Sequence, residues 1–303
     1  MSESLIFAGT PANAAVTLEH LVRQGFDISL VITRPDAPFG RKRVLTPSPV
    51  AVVADKYGLE VLKTKQIDAS VIDRISATGS TTAVVVAYGA LLRAPALKAL
   101  SNGWFNLHYS LLPRWRGAAP VQHAILSGDR ETGVTLFKID EGLDTGAVIA
   151  SVPTQIQHSE SAGRLLARLT ELGCTLLSQE LPRILLEQYT SSPQEVGHDL
   201  ALAPKLTRED ARIDWSTSAM QVERKVLAMN PEPGAWTTYN GNSVKIHSAL
   251  EVVRGEGGAA GTVKFENGKV LVDTAAGTIE LLEVQPAGKK AMPAKEWAKG
   301  VSL

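Results

Sequence analysis

The stretch Thr82-Ala83-Val84-Val85-Val86-Ala87 constrains the fold of this chain more than any other. It carries no charge and shows no in–out alternation, so the strand it forms must be buried on both faces. That is the pattern of a parallel sheet covered by helices. The N-terminus agrees. Leu5-Ile6-Phe7-Ala8 is a second short apolar run, and Gly9-Thr10-Pro11 follows it as a tight turn and helix start. Thr10 is the expected N-cap, with Pro11 at the first helical position. Ala15, Leu18, Leu21 and Val22 recur at helical spacing, Gly25 ends the helix, and residues 28–33 form the next strand. Strand, helix and strand at this length make a βαβ unit, right-handed by default.

The same reading predicts helices over 50–57, 67–76 and 120–126, and strands over 60–62, 132–139 and 147–152. A long helical region over 162–186 is interrupted near Pro182. The expectation for residues 1–188 is an α/β domain with a Rossmann-like, mostly parallel sheet. Residues 189–205 are polar and aperiodic and read as a linker. In 206–303, Ser216 is expected to cap a helix running to Met229. Five short strands follow, over 235–239, 243–253, 261–265, 269–273 and 278–284. Asn240-Gly241 and Asn267-Gly268 supply hairpin turns. That pattern fits a small OB-like β-barrel, a frequent nucleic-acid binder.

Several function classes drop out. Gly-x-Gly-x-x-Gly is absent after the first strand, so a nicotinamide cofactor is not expected. The one cysteine, Cys174, sits in a Leu-rich helical pattern and permits neither a disulfide framework nor a cysteine zinc cluster. Asp140-Glu141-Gly142-Leu143-Asp144-Thr145-Gly146 is rich in acids but lacks EF-hand spacing, so no metal is expected. No charged leader precedes an apolar run, and no stretch approaches the roughly 20 apolar residues that span a bilayer. The chain therefore reads as cytoplasmic, without a membrane partner. The formal net charge is zero, so any nucleic-acid contact must come from local basic patches.

The chemistry concentrates in residues 104–120, Trp-Phe-Asn-Leu-His-Tyr-Ser-Leu-Leu-Pro-Arg-Trp-Arg-Gly-Ala-Ala-Pro. On a strand, Asn106 and His108 share one face and Leu107 takes the other. An amide and an imidazole aimed at one spot suit a developing oxyanion and a moving proton, although such a pair also occurs as ordinary polar groups at a sheet rim. Residues 34–49 form a long loop with four prolines and the basic run Arg41-Lys42-Arg43. That run reads either as a solvated surface or as a phosphate clamp.

Asn106-Leu107-His108, then Ser110-Leu111-Leu112-Pro113, then Asp144-Thr145-Gly146 together resemble the 10-formyltetrahydrofolate-dependent formyltransferase family. Arg114-Trp115-Arg116-Gly117-Ala118-Ala119-Pro120, Arg212-Ile213-Asp214-Trp215 and the stretch from Gln285 to Met292 are similar to its methionyl-tRNA branch, so the resemblance spans both domains. It implies formyl transfer from 10-formyltetrahydrofolate to the α-amine of methionyl initiator tRNA, by a monomer and without a metal. It also implies that Asn106, His108 and Asp144 are catalytic. Folate contacts would come from Ser110, Leu111, Leu112, Pro113, Tyr88, Leu91 and Gly142. Contacts to tRNA would come from Arg41, Lys42, Arg43, Lys205, Lys289 and Lys290, with Arg41 the favoured cation of the basic run. Tyr109 departs from the small residue or proline expected between the His and the Ser. Three alternatives stay open: a formyltransferase acting on an amino sugar nucleotide, a formyl-folate deformylase, and a non-catalytic RNA-binding module.

Overall fold

The computed structural model describes residues 3–40, 42–195, 200–256 and 259–301. In chain order the elements begin β1 (Leu5–Gly9), α1 (Ala12–Arg23), β2 (Ile28–Thr33), β3 (Ala37–Phe39), β4 (Val44–Thr46), α2 (Pro49–Lys56), β5 (Val61–Lys63), α3 (Ala69–Ala77) and β6 (Thr82–Val86). There follow α4 (Ala94–Leu97), β7 (Gly103–His108), β8 (Arg116–Gly117), α5 (Pro120–Ser127), β9 (Glu131–Lys138), β10 (Val148–Gln155), α6 (Ala162–Leu185) and β11 (Leu202–Ala203). The remainder comprises α7 (Ala219–Ala228), β12 (Trp236–Tyr239), β13 (Asn242–Glu256), β14 (Val263–Glu266), β15 (Lys269–Asp273), β16 (Ala276–Pro286), β17 (Met292–Pro293) and α8 (Ala294–Lys299). The chain divides into two compact units. One is Met1–Gly117, Thr132–Thr154 and Leu166–Leu202; the other is Ala118–Glu131, Gln155–Leu165 and Ala203–Leu303.

The first unit holds a seven-stranded sheet in the order β10-β9-β7-β6-β1-β2-β5. Strands β5, β2, β1, β6 and β7 run parallel, and β9 joins β7 antiparallel. Every residue of β1 and β6 is buried, as their unalternating apolar sequences require. The chain moves from β1 outward to β2 and β5, then returns to β6 on the other side of β1. In open α/β sheets such a reversal marks the crevice, beyond the carboxyl ends of the strands, in which ligands bind. Val85 of β6 lies opposite Asn106 of β7 in the parallel ladder, so the carboxyl ends of these two strands lie side by side next to that reversal.

The second unit carries an antiparallel sheet ordered β12-β13-β16-β15-β14, with β17 paired to β16. Its hairpins turn at Asn240-Gly241 and Asn267-Gly268, where both asparagines and both glycines have positive φ. Val222, Val226 and Met229 from α7 and its cap pack with Val244, Ile246, Ile279, Leu281 and Trp297 in one core. The strand β13 is a single element with four register shifts against β16, and such bulges bend and twist a strand.

Some local expectations change. Within the long basic loop, Ala37–Phe39 pairs antiparallel with Val44–Thr46 as a two-stranded hairpin, β3–β4. Every side chain of both strands is exposed, so neither a buried face nor alternation marks them in the sequence. Thr10 does not cap α1. Its hydroxyl donates instead to the Tyr88 carbonyl at 2.9 Å, tying the turn after β1 to the turn after β6. The cap of α7 is Ser218, which forms a capping box with Gln221, because Ser216 is engaged with the Asp214 carboxylate. The helix α6 runs through Pro182, which falls in its last turn, and ends at Leu185.

Candidate active site

Asn106 and His108 stand on one face of β7, at its carboxyl end. Leu107, between them, is buried on the other face against Gly173 of α6. A Cβ at Gly173 would lie 2.5 Å from Leu107 Cδ2. The strand's two-residue period therefore sends Leu107 into the core and both polar groups toward the crevice. The Asn106 side chain is partly exposed and has no hydrogen-bond partner among the described residues.

His108 is 5 % exposed. Its Nε2 lies 2.9 Å from the Trp115 carbonyl. A carbonyl only accepts, so Nε2 is the donating, protonated nitrogen and the neutral ring's lone pair is on Nδ1. Nδ1 faces Asp144 Oδ2 at 3.8 Å, beyond hydrogen-bond range but close enough for a strong charge interaction once the ring is protonated. The Trp115 carbonyl, and not Asp144, thus sets the ring's orientation. Burial pulls the His108 pKa below its ordinary 6.5, while Asp144 and the Trp115 carbonyl pull the other way. The ring is accordingly neutral at pH 7 and able to accept a proton at Nδ1.

Asp144 is held from two sides. The Gly117 N–H donates to Oδ2 at 2.8 Å, and the Gln194 side-chain amide donates to its main-chain carbonyl at 2.8 Å. Its φ of +52° is unusual for a non-glycine residue. Two more non-glycine residues around the crevice share the left-handed region, Ala87 at +46° and Trp115 at +64°. Each such residue costs on the order of 1–3 kcal/mol and persists only where its surroundings enforce it. Around Asp144 the loop closes on itself. The Asp140 carboxylate accepts from the Gly142 N–H and the Thr145 hydroxyl, and the missing side chain of Gly142 leaves room for Thr145. Gly146 is tighter still, since a Cβ there would overlap the main-chain carbonyl of Lys138. Backbone cannot yield as a side chain can, so Gly146→Ala is expected to cost about 1–3 kcal/mol in urea unfolding. An unchanged midpoint would show that the loop accommodates the methyl group.

The segment after β7 is fixed by its own polar groups. The Ser110 hydroxyl donates to the Arg114 carbonyl at 2.7 Å. Thr135 of β9 donates to the Ser110 carbonyl and accepts from the Leu112 N–H. Leu111 lies over Gly133, where a side chain on the glycine would strike it, and Leu112-Pro113 is cis. Beyond β6, Tyr88 is buried, and its phenol pKa is pushed up by that burial. Leu91 is 70 % exposed.

Of the basic residues singled out in the sequence, Arg41 lies outside the described residues. Lys42 and Arg43 sit exposed at the tip of the β3–β4 hairpin. In the second unit Lys205, Lys289 and Lys290 are exposed. Among the described residues no group of three or more His, Cys, Asp or Glu side chains could hold a metal ion, and no helix is long and apolar enough to cross a membrane. Sequence reasoning missed four participants: the Trp115 carbonyl, the Gly117 amide, Arg116 and Gln194. The first two are main-chain groups and leave no signal in side-chain chemistry. Arg116 stood in a noticed motif without an assigned role, and Gln194 lay in a stretch read only as linker.

Residues 3–181 match the Formyl transferase family, and residues 205–302 match the Formyl transferase C-terminal domain. Among curated proteins the chain is 46 % identical to the methionyl-tRNA formyltransferase of Arthrobacter sp. (strain FB24), covering 98 % of this chain and 96 % of that one. It is 43 % identical to the methionyl-tRNA formyltransferase of Clavibacter sepedonicus, over 98 % and 97 %. Among solved structures it is similar to the N-formyltransferase of Helicobacter canadensis in complex with folinic acid and dTDP-3-aminofucose. There the TM-score is 0.70 at 19 % identity, over 94 % of this chain and 99 % of that one. HypX from Aquifex aeolicus in complex with tetrahydrofolic acid gives a TM-score of 0.68 at 16 % identity, over 98 % and 47 %. At those identities the structural likeness speaks for the fold.

Proposed function

We infer the reaction from the family: this chain belongs to the formyl transferases. It transfers the formyl group of 10-formyltetrahydrofolate to the α-amine of methionyl initiator tRNA, giving N-formylmethionyl-tRNA for translation initiation. The observation that carries this is the 43–46 % identity to methionyl-tRNA formyltransferases over nearly the whole chain, both domains included. The chain works as a monomer in the cytoplasm, with no membrane contact and no metal.

Asn106, His108 and Asp144 are the catalytic groups. The attacking amine is itself the nucleophile, and a peptide α-amine titrates near 7.7–8, so part of it is neutral at pH 7 without activation. The new C–N bond forms as the formyl carbon's bond to the folate nitrogen breaks. The protein must therefore stabilise the formyl oxygen as it takes up negative charge and provide a route for the amine's proton to the departing nitrogen, which leaves as tetrahydrofolate. The Asn106 side chain has free N–H donors at the crevice and meets the first need. Asp144 and the Nδ1 of His108 meet the second. Proton uptake at the Nδ1 of His108 turns its 3.8 Å gap to the Asp144 carboxylate into a charge-paired contact. We assign the flat heterocycle, which brings its own acceptor oxygen, to the adjoining ends of β6 and β7, beside the Asn106 amide and the exposed Leu91. Tyr88, Leu91, Ser110 to Pro113 and Gly142 would border it.

The tRNA contacts are assigned to Arg41, Lys42 and Arg43 in the first unit and to Lys205, Lys289 and Lys290 in the second. Arg41→Ala is expected to raise the KM for charged tRNA about tenfold, the loss of one charge-assisted contact. It should also flatten the salt dependence of binding while leaving the KM for the folate unchanged. Equal loss of both substrates would count against a role confined to RNA. The reaction itself is tested by incubating charged initiator tRNA with the protein and formyl donor, then resolving the product on an acid gel. A formylated product is expected. Formate released without an acceptor, or formylation of an amino sugar nucleotide with the tRNA untouched, would overturn the reading.

A further inference from the structure

We propose that Gln194 is a positioning residue for Asp144, an inference that rests on the catalytic role given to Asp144 above. Asp144 holds a backbone conformation that its type rarely adopts, in a loop that is exposed over residues 140–143. Something must hold that conformation in place, and the side-chain amide of Gln194 is built to do so. Its Nε2 donates to the Asp144 carbonyl and to the Gly146 carbonyl, both at 2.8 Å, and so brackets the turn across Thr145. Its Oε1 accepts from Nε and Nη2 of Arg116, at 3.0 and 2.7 Å. Arg116 is 6 % exposed. A guanidinium only donates, so the amide oxygen must face it, and the amide nitrogen must then face the two carbonyls. Both donors and the acceptor of the amide are used, and no rotation of the group satisfies the same four contacts.

The backbone around Gln194 is fixed as well. Two residues before it, Ser192 exchanges both main-chain hydrogen bonds with Val148 at the start of β10. Arg116 directly precedes Gly117, whose N–H holds the Asp144 carboxylate. One short segment therefore grips Asp144 twice: directly at the carboxylate, and through Gln194 at the carbonyl. Without the amide, the turn is free to relax out of its positive φ, and the carboxylate moves with it. A displacement of about 1 Å at a reacting group can cost on the order of 100-fold in rate.

The test uses the full-length protein with charged tRNA and formyl donor. Gln194→Ala should lower kcat 10- to 100-fold and leave both KM values within threefold. Gln194→Glu keeps the size and strengthens the pairing with Arg116, but sets a carboxylate oxygen against two carbonyls. It should lose kcat at least as severely without lowering Tm. In an Asp144→Ala background, measured by single turnover, Gln194→Ala should add less than twofold. A merely structural anchor predicts the reverse: Gln194→Glu close to wild type, and the same loss from Gln194→Ala in both backgrounds. Either result overturns the proposal, as does wild-type kcat in Gln194→Ala. If Asp144→Ala alone keeps its turnover, the catalytic reading of Asp144 fails first and the proposal falls with it.

Discussion

Asn106→Ala is expected to lower kcat by about 10²–10³ and to leave the binding of both substrates nearly unchanged, the loss of one oxyanion donor. The expectation follows from how the residue is placed. Its side chain sits on a strand whose neighbours on both sides are in register, so the amide is carried by rigid scaffold. It has no protein partner to satisfy among the described residues, so its removal leaves no buried group orphaned, and stability should hold within about 0.5 kcal/mol. A fall in rate without a fall in Tm separates the role in transition-state stabilisation from any structural one. Asn106→Asp sharpens the test, because it keeps the shape and replaces two donors with a negative charge beside the developing one. It should be at least as impaired as alanine. An Asn106→Ala protein within fivefold of wild type would remove the oxyanion role.

Much of the candidate site's geometry is legible in the sequence alone, for a physical reason. A two-residue period on a strand is a local property, so Asn106 and His108 could be placed on one face from spacing alone, with Leu107 in the core. The buried runs of β1 and β6 were legible because a strand covered on both faces has no alternation to hide. The hairpin β3–β4 was not, since nothing on it is buried and Pro38 sits within it. What sequence could least supply were contacts made by the main chain. The proton on His108 is placed by the Trp115 carbonyl, and the Asp144 carboxylate by the Gly117 N–H. Both depend on where backbone lies after folding and on no side-chain chemistry. Gln194 escaped notice for a related reason, since a glutamine in a polar, aperiodic stretch looks the same whether it is solvated or bridges Arg116 to two carbonyls. The family resemblance brought Asp144 to the same point as the strand pair, where spacing could not, because a carboxylate 36 residues downstream has no local relation to β7.

His108→Ala and Asp144→Ala are each expected to lower kcat by about 10²–10⁴, the range for losing a positioned acid–base group, with the double variant little worse than the more impaired single one. Groups that act as a unit are far from additive, and these two face each other across a gap that becomes a favourable contact only when a proton arrives. Losses that simply multiply would mean two independent roles. The pair also makes a signed prediction for His108 itself. Burial lowers its pKa and Asp144 opposes that lowering. The ring, followed by NMR, should titrate below 6.5 in the wild type and lower still in Asp144→Asn, where the opposing charge is gone. An upward shift on neutralising Asp144 would place some other group in control of the ring. The same depression bears on stability. A histidine whose folded pKa lies below its unfolded value contributes fully above the unfolded value, near 6.5, and that contribution falls away as the pH drops toward the folded one. His108→Gln, which cannot charge, should therefore flatten the stability curve below pH 6.5. Removing Asp144 should do the opposite and steepen it, because the ring becomes harder still to protonate in the folded state.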